Sequence, residues 1–536
     1  MLFSINTFQQ LRADQPKLVV LITLDQFPYE YLTRFQPYFS NGGFNYVLRN
    51  GASFANAQYE HSCPKTADGH AAIITGTYSH LNGITGNKWF DRKNKKVVNC
   101  VDDEATQLFG AAGVGRSPHN LQAYTVGDML RLYTNFRSKV IGISNKDRSA
   151  ILMAGKFGTA FWFDDSVVVT SSYYMSKAPA WLTSFNGSGA FQQYFGKQWK
   201  ETLPGAAAPL CDDDDAPYEV DTFGLGRVFP HPIVGKDPQR ITPSYYSALV
   251  CSPFATELLL NLAQNVVAQE SLGVRGVTDM LCVGISATDE IGHSYGPQSH
   301  EVFDNALRTD EMLGQFFSYL EKTIGLNHCL IILTSDHGIA PIPEYLQKKS
   351  PHVEAGRVSS KEISNLADSL LEKTFGKTPS GSGWIARVIE GDIYLNMEVL
   401  KEKNISLREA THVLRDSLLG SSFVAATYTR DELEQTTPQD YFGKRMAKTF
   451  FSQRSGDVLL VLKPYYILMS ETKGTNHGQP YEYDSHVPLI FVGKHFTPGV
   501  YLDEVSPIDL APTLAEVLGL PFPPSCEGKV LRGAIK

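Results

Sequence analysis

Three continuous apolar runs in this chain each lead into side chains that can bind a metal ion. LVVLITL precedes Asp25, LIILTS precedes Asp336 and His337, and MLCVGIS is followed shortly by Asp289 and His293. A Val/Ile/Leu run without alternation is typical of a strand covered on both faces, as in a parallel sheet flanked by helices. Ligands gather beyond the carboxyl ends of such strands. The pattern therefore predicts an α/β protein with a polar site at one sheet edge.

Strand-like and helix-like segments alternate along much of the sequence, which indicates a doubly wound, mostly parallel central sheet flanked by helices. The predicted strands are 17–24, 138–143, 279–285, 329–334 and 488–492. The predicted helices are 66–76, 126–133, 254–270 and 302–323. SPIDLAPTLAEVLGL predicts a further helix, with Ser506 as cap, Pro507 in the first turn and Gly519 at its end.

The length of 536 residues suits one large α/β domain spanning 1–536 with insertions. Residues of about 160–250 are rich in Gly, Pro, Ser and aromatic residues, and we expect a long, irregular loop insertion there. Residues of about 345–470 mix helical and strand-like segments, which predicts a small inserted α+β subdomain.

Composition excludes some function classes. A formal net charge of -8 argues against nucleic acid as the main partner. No segment approaches the length of a transmembrane span, and the N-terminus lacks a visible signal peptide. The seven cysteines show no C-x-x-C spacing, although one or two disulfides remain open. The acidic run 212–215 is interpreted as a solvated loop, with a calcium site as the alternative.

The acids and histidines suit a pair of metal ions. Asp289 and His293 lie one turn apart if their segment is helical, so both can face one ion. Asp336 and His337 are adjacent and must point differently, which favours two ions, and Asp25 adds a carboxylate. GTNHGQPYEYDSHVPL offers a late imidazole from His477 or His486. Oxygen and nitrogen ligands without thiolates fit zinc or manganese, and the histidines favour zinc.

A hydroxyl near these ligands is the candidate nucleophile. In HSCPKTADGHAAIITG, Thr66 stands at the start of a predicted helix, where the dipole favours an alkoxide and an incoming phosphate. Thr66 could otherwise be a simple helix cap, and His70 is expected to orient the segment.

The chain resembles the alkaline phosphatase superfamily, and within it the phosphate-irrepressible alkaline phosphatases with a threonine nucleophile. These are related to the type I phosphodiesterases and nucleotide pyrophosphatases. The resemblance runs from LITLDQ through KTADGHAAIITGTYSHLNGITGN, SNKDRSA, TDEIGHSYGP and TSDHG to GTNHGQPYEYDSHVPL. It spans nearly the whole chain, and its TDxxGHxxGP and SDHG motifs are specific.

The resemblance implies two zinc ions and a role for each ligand. One ion is expected to bind Asp289, His293 and a late histidine, assigned to His477 with His486 as runner-up. The other is expected to bind Asp25, Asp336 and His337, with the Thr66 oxygen between the two ions.

The matching positions for substrate binding are Asn87, Lys146 and Arg148. Two cations and an amide donor suit the dianionic phosphoryl group of a monoester. The resemblance therefore implies a phosphate monoester hydrolase that forms a phosphothreonine at Thr66 and releases inorganic phosphate. We expect small-molecule phosphate monoesters as partners, a monomer, and, by family resemblance, a periplasmic or secreted location.

Several alternatives stay open at this point. A nucleotide pyrophosphatase or phosphodiesterase would use the same metals and Thr66, and a phosphonate hydrolase is a more distant relative. A catalytically inactive metal-binding module is the alternative from another class. A sulfatase is disfavoured because Cys63-Pro64 lacks the downstream arginine of the C-x-P-S-R motif.

Overall fold

A ten-stranded sheet forms the centre of the protein. The computed structural model describes residues 15–202, 204–378 and 382–536, and elements are numbered in chain order. From one edge to the other the sheet contains β20 (Gly499–Val505), β2 (Gly51–Gln58), β19 (His486–Val492), β12 (Cys329–Ser335), β1 (Leu18–Leu24), β11 (Asp279–Ile285), β6 (Val140–Ser144), β7 (Thr159–Asp164), β8 (Val167–Ser171) and β5 (Leu108–Phe109).

The remaining strands form four small sheets. They are β3 (Lys88–Asp91) with β4 (Lys96–Asn99); β9 (Gln198–Trp199) with β10 (His231–Pro232); β13 (Gly356–Val358) with β18 (Tyr466–Leu468); and, in this order, β14 (Ile385–Ile389), β15 (Asp392–Leu395), β17 (Val458–Leu462) and β16 (Val424–Thr429).

Helices cover the central sheet and fill the insertions. They are α1 (Glu30–Arg34), α2 (Phe44–Asn50), α3 (Thr66–Thr75), α4 (Ser79–Asn82), α5 (Val126–Tyr133), α6 (Asp147–Ala154), α7 (Ala180–Asn186), α8 (Pro243–Val250), α9 (Pro253–Gln269), α10 (Ala287–Tyr295), α11 (His300–Thr323), α12 (Pro343–Lys349), α13 (Ser360–Phe375), α14 (Met397–Glu402), α15 (Leu407–Leu418), α16 (Arg430–Gln435), α17 (Tyr441–Thr449), α18 (Glu482–Ser485) and α19 (Leu510–Leu518). Short 3₁₀ turns occur at Gln36–Tyr38, Gln192–Tyr194, Gly205–Leu210, Leu326–His328, Pro507–Asp509 and Arg532–Ala534.

The central strands are buried on both faces, which explains their continuous apolar sequences. Every residue of β1 is buried. Val20 and Ile22 pack into a core shared with α9 and α11, whereas Val19 and Leu21 pack on the other face against α3 and α19. Alternate residues of one strand therefore support two layers of helices, as the period of two in a strand requires.

The predicted doubly wound α/β fold is confirmed, with a parallel centre and mixed edges. β12, β1, β11, β6 and β7 run parallel to one another. The predicted strand 488–492 is present as β19, but it runs antiparallel to both β12 and β2. Its pairing with β2 shifts register between Val487 and Leu489, where Pro488 lacks the N–H that a regular ladder needs.

The insertion at about 160–250 is less irregular than predicted. β7 and β8 form a hairpin that continues the central sheet, and Asp165 in its turn has a positive φ of 47°. α7 and α8 lie further along the same segment. The two strands are only six and five residues long, too short to stand out beside the Gly, Pro and Ser residues of the rest of the segment.

Residues of about 345–470 contain a four-stranded sheet separate from the central one. α13 and α15 pack on it around their own buried cluster, which includes Ile363, Leu414 and Leu460. From this separate core we infer that the segment is an inserted α+β subdomain, called the inserted subdomain below.

The predicted helices occur at α3, α5, α9 and α11, and the C-terminal helix begins with a 3₁₀ turn at Pro507–Asp509 before α19. All seven cysteines lie in the described ranges and are free. Among the described residues no single helix is long and apolar enough to cross a membrane. Among these residues, only the consecutive helices Pro243–Val250 and Pro253–Gln269 would together be long and apolar enough, and the chain bends by 84° between them.

Candidate active site

The strand register brings the predicted metal ligands together at the carboxyl ends of the central strands. Leu24, at the end of β1, pairs with Ile285 of β11 and Ser335 of β12. Asp25 and Asp336 therefore lie side by side just beyond the carboxyl ends of two neighbouring strands. α10 begins at the same end of the sheet, with Ala287 shortly after β11. The parallel order of these strands thus assembles residues that are distant in sequence.

One group of ligand atoms comes from α10 and the loop before α18. Asp289, His293 and His477 present atoms that all lie within 4.8 Å of one another. Asp289 Oδ1 is 3.1 Å from His293 Nε2 and 3.8 Å from His477 Nε2. Nδ1 of His293 lies 2.8 Å from the Thr475 carbonyl oxygen, and Nδ1 of His477 lies 3.2 Å from that of Pro64. Donation from Nδ1 leaves each Nε2 available to a metal ion.

A second group lies around the ends of β1 and β12. Asp25, Asp289 and His337 also present atoms within 4.8 Å of one another, so Asp289 belongs to both groups. Asp25 Oδ1 is 3.3 Å and Asp336 Oδ2 is 3.7 Å from His337 Nε2. Nδ1 of His337 lies 2.8 Å from the Gly338 carbonyl oxygen. The division of the ligands between two ions stays a prediction, but all six lie in one cluster.

Three buried atoms of this cluster make no hydrogen bond of regular geometry in the described part of the chain. They are Asp25 Oδ1 and His337 Nε2, which lie 3.3 Å apart, and Asp336 Oδ2, which contacts His70 Nδ1 at 3.0 Å. Buried polar groups without partners are costly. A bound divalent cation would satisfy these atoms, so the residues present fit a metal site.

The charges of the cluster also favour cations. Burial opposes ionisation of Asp25, yet the Lys146 ammonium group and the His337 ring together outweigh burial and hold the pKa of this carboxyl well below its usual value. Burial opposes protonation of His337, yet the carboxylates of Asp336 and Asp25 raise its pKa to about 10. The raised pKa of His337 reflects the negative charge of these carboxylates, which suits divalent metal ions, whereas the lowered pKa of Asp25 reflects the positive charge of Lys146.

Thr66 is the first residue of α3 and is buried beside this cluster. Nδ1 of His70 lies 2.7 Å from the Thr66 carbonyl oxygen and 3.0 Å from Asp336 Oδ2. Gly69 allows this approach, because a Cβ there would lie 2.3 Å from the Asp336 carbonyl oxygen. His70 thus ties the first turn of α3 to a predicted metal ligand, in line with its predicted orienting role.

Asn87 points its amide group towards the start of α3. The backbone N–H of Ala67 donates to Asn87 Oδ1 at 3.0 Å. This bond fixes the orientation of the amide and leaves its nitrogen as a donor. Asn87 lines a cleft of about 810 Å³ together with His293 and His477. The amide therefore lies at the same opening as two predicted metal ligands.

Lys146 and Arg148 come from the start of α6. The Lys146 ammonium nitrogen donates to Asp25 Oδ2 at 2.9 Å and also to Asp289 Oδ2. The Arg148 guanidinium is mostly buried, with Nε unpaired among the described residues and Nη1 3.9 Å from Asp147. A buried guanidinium with so weak a partner is suited to bind an anion such as phosphate.

Gln26 contacts two predicted ligands, and we did not select it from the sequence. Its backbone N–H donates to Asp336 Oδ1 at 3.1 Å, and its amide donates to Asp289 Oδ1 at 2.6 Å. Its φ of 61° is uncommon outside glycine. Its only sequence signal is that it directly follows Asp25.

Two other sequence candidates lie elsewhere. His486 Nε2 lies 2.9 Å from the Ala55 carbonyl oxygen, and its ring stacks on Tyr29. The geometry therefore favours His477 as the late ligand. In the acidic run, Asp213 pairs with Lys348 at 2.9 Å and Asp215 with Arg227 at 2.7 Å, as expected for a charged surface loop.

Known proteins match this chain over most of its length. The sequence model of the type I phosphodiesterase/nucleotide pyrophosphatase family matches residues 19–486. Alkaline phosphatase PhoV of Synechococcus elongatus is 34% identical over 539 residues, covering 99% of this chain and 95% of that protein. Alkaline phosphatase PafA of Elizabethkingia meningoseptica is 32% identical over 529 residues, covering 97% and 95%. The crystal structure of PafA matches with a TM-score of 0.92 at 32% identity, covering 98% of this chain and 100% of that one.

Proposed function

The chain belongs to the type I phosphodiesterase/nucleotide pyrophosphatase family, and we propose that it is an alkaline phosphatase, a phosphate monoester hydrolase with Thr66 as nucleophile. The proposal rests on one arrangement of residues. Lys146 donates to two carboxylates of the cluster, Arg148 is close enough to Asp25 and Asp289 to interact with their charges, and Asn87 accepts from the first turn of α3.

Two zinc ions would be held by Asp289, His293 and His477, and by Asp25, Asp336, His337 and the Thr66 oxygen. Bound zinc supplies a Lewis acid that lowers the pKa of a coordinated hydroxyl and neutralises charge on a departing oxygen. The buried atoms of Asp25, Asp336 and His337 that make no regular hydrogen bond among the described residues support this assignment. Histidine ligands without thiolates favour zinc over harder ions.

The residues of the chain then bind and orient the phosphoryl group. Arg148 grips two non-bridging oxygens, the Asn87 amide donates to one of them, and Lys146 adds a point charge. The Thr66 oxygen attacks phosphorus in line, the bond to the ester oxygen breaks, and a phosphothreonine forms. Attack by water then releases inorganic phosphate and restores the Thr66 hydroxyl.

The choice between monoesters and diesters rests on the three phosphoryl-binding groups. A monoester carries one more negative charge on its non-bridging oxygens than a diester, and two cations stabilise that charge. A nucleotide pyrophosphatase or phosphodiesterase with the same metals is the second candidate, because the family includes such enzymes.

Rates on p-nitrophenyl phosphate and on its bis-ester, with metal content by mass spectrometry, test the proposal. We expect bound zinc and a preference for the monoester. A preference for the bis-ester would refute the monoesterase assignment, and zinc-loaded protein without activity on either ester would indicate an inactive metal-binding module. The same family resemblance supports a periplasmic or secreted location, which fractionation of the producing cells would test.

A further inference from the structure

A carboxylate of the inserted subdomain reaches the candidate active site. β14 and β15 form a hairpin whose two turn residues are Glu390 and Gly391. Glu390 lines the same cleft as Asn87, His293 and His477. Glu390 lies 303 residues from Asn87 along the chain and belongs to none of the motifs above, so only the tertiary structure brings the two residues together.

The Glu390 carboxylate holds two groups beside the predicted nucleophile. Its Oε2 accepts from Lys65 Nζ at 3.1 Å and from the Asn87 backbone N–H at 3.2 Å. Lys65 Nζ also donates to the Glu390 carbonyl oxygen at 3.1 Å. The side chains of Lys65 and Glu390 are only 10% and 18% exposed. Water therefore screens this ion pair less than an exposed one.

The backbone at Glu390 is unfavourable for a glutamate. Glu390 has a φ of 53° and Gly391 a φ of 98°. Positive φ at both central residues characterises the type I′ hairpin turn, which favours Asn, Asp or Gly at the first position. A non-glycine residue held in this region costs free energy and is found at functional sites. The turn residue thus points to a role for the side chain.

Gly86 makes room for the carboxylate. A Cβ at Gly86 would lie 2.3 Å from Glu390 Oε2, well inside van der Waals contact. Gly86 belongs to GITGN, the segment that carries Asn87. The absence of a side chain at Gly86 therefore allows the Glu390 carboxylate to approach the Asn87 backbone.

Asn87 is held at both ends by these contacts. Glu390 fixes its backbone N–H, and the Ala67 N–H fixes its side-chain oxygen. Lys65, the other partner of Glu390, directly precedes Thr66. One carboxylate thus contacts the two segments that carry the nucleophile and the amide donor.

We propose that Glu390 is a positioning residue that sets the Asn87 amide against the phosphoryl group, so that the inserted subdomain completes the phosphoryl-binding site. This inference rests on the proposed function, because it assumes that Asn87 binds the phosphoryl group. A carboxylate beside a dianionic substrate would repel it if unpaired, and Lys65 neutralises that charge.

Glu390→Ala and Glu390→Gln test the role of the carboxylate, and Glu398→Ala is a matched control. Glu398 also links the inserted subdomain to the β3–β4 hairpin, through Lys95, but both side chains are well exposed. We expect Glu390→Ala to lower kcat/KM for p-nitrophenyl phosphate by roughly 10- to 100-fold and to raise the Ki of inorganic phosphate. Glu390→Gln, which keeps a hydrogen-bond acceptor, should recover part of the loss, and the control should match wild type.

A double-mutant cycle with Asn87→Ala separates positioning from simple structural support. If Glu390 acts through Asn87, Glu390→Ala should cost about threefold or less in the Asn87→Ala background. Glu390→Ala should also lower the ratio of monoesterase to diesterase rates, because the Asn87 amide donates to the phosphoryl oxygens, which carry more negative charge in a monoester. Equal losses on both esters, or an undiminished Glu390→Ala effect in the Asn87→Ala background, would overturn the inference.

The failures of the two proposals are distinguishable. If Asn87→Ala is costly and Glu390→Ala is not, the positioning role fails while the proposed function stands. If Asn87→Ala leaves the monoesterase rate unchanged, the Asn87 assignment and the positioning role both fail. If wild type prefers diesters, the monoesterase assignment fails, and the cycle run on the bis-ester still decides whether Glu390 acts through Asn87.

Discussion

The Lys146 ammonium nitrogen lies 2.9 Å from Oδ2 of Asp25, within the cluster that contains the candidate metal ligands. It also donates to Asp289 Oδ2. Burial lowers the pKa of Lys146, but the carboxylates of Asp25 and Asp289 outweigh burial and raise it above its usual value. A permanent positive charge is therefore part of this site.

We expect Lys146→Ala to lower kcat/KM for p-nitrophenyl phosphate by about 10²–10³-fold, as for loss of one preorganised electrostatic group. The loss on the bis-ester should be smaller because that substrate carries less charge. Lys156→Ala is the control, since Lys156 follows the other end of α6 and packs over the Tyr124 ring. Equal losses on both esters would contradict the role of Lys146.

Arg148→Lys tests whether the guanidinium grips two oxygens. Lysine keeps the charge but loses the planar pair of donors. We expect the Ki of inorganic phosphate to rise by roughly tenfold, in line with one lost charge-assisted hydrogen bond. Arg532→Lys, in the exposed pair with Glu516, should leave Ki unchanged. An unchanged Ki in Arg148→Lys would argue against bidentate binding.

His477→Ala and His486→Ala test the identity of the late ligand. His477 lies with Asp289 and His293, whereas His486 contacts Ala55 and Tyr29. We expect His477→Ala to lose the zinc ion of one site and most of the activity. His486→Ala should keep both zinc ions and the activity. Metal content by mass spectrometry decides the assignment, and the reverse result would transfer the role to His486.

The buried carboxyl group of Glu219 should make the free energy of unfolding depend on pH. Burial, together with the nearby carboxylates of Glu301 and Asp214, raises the pKa of Glu219 to about 10. The folded state therefore holds a proton that the unfolded state has lost above its ordinary pKa. Stability should fall as pH rises from about 5 towards 10, by up to about 1.4 kcal/mol per pH unit.

Glu219→Gln removes this linkage. Its melting temperature near about pH 9 should exceed that of wild type by a few degrees, and the difference should shrink near about pH 5. The control is Glu372→Gln on the exposed face of α13, which should follow the wild-type pH profile. A parallel pH profile for Glu219→Gln would show that the group is ionised in the folded state.

The sequence predicted the centre of the fold well because burial dictates composition there. β1, β11 and β12 are covered on both faces, so their apolar runs are continuous and their ends are marked by polar residues. Asp25, Asp289, His293, Asp336 and His337 follow those ends within short segments. Their convergence needs only the parallel order of the strands, which the alternation of elements predicts.

Features that depend on long-range pairing were not predictable in the same way. The antiparallel direction of β19 is set by its neighbours β12 and β2 and has no local signal. Gln26 contacts two predicted ligands through its backbone N–H and its side-chain amide, and Glu390 reaches the site from a hairpin in the inserted subdomain. Neither residue carries a periodicity or a motif of its own, and only the tertiary structure brings them to the site.

Covalent phosphorylation of Thr66 tests the central claim most directly. Acid-quenched turnover of p-nitrophenyl phosphate, followed by peptide mass spectrometry, should show one phosphoryl group on the peptide that contains Thr66. Zinc-loaded Thr66→Ala should show no such peptide and should lose nearly all monoesterase activity. Full turnover by Thr66→Ala, or a phosphoryl group on another residue, would contradict the account.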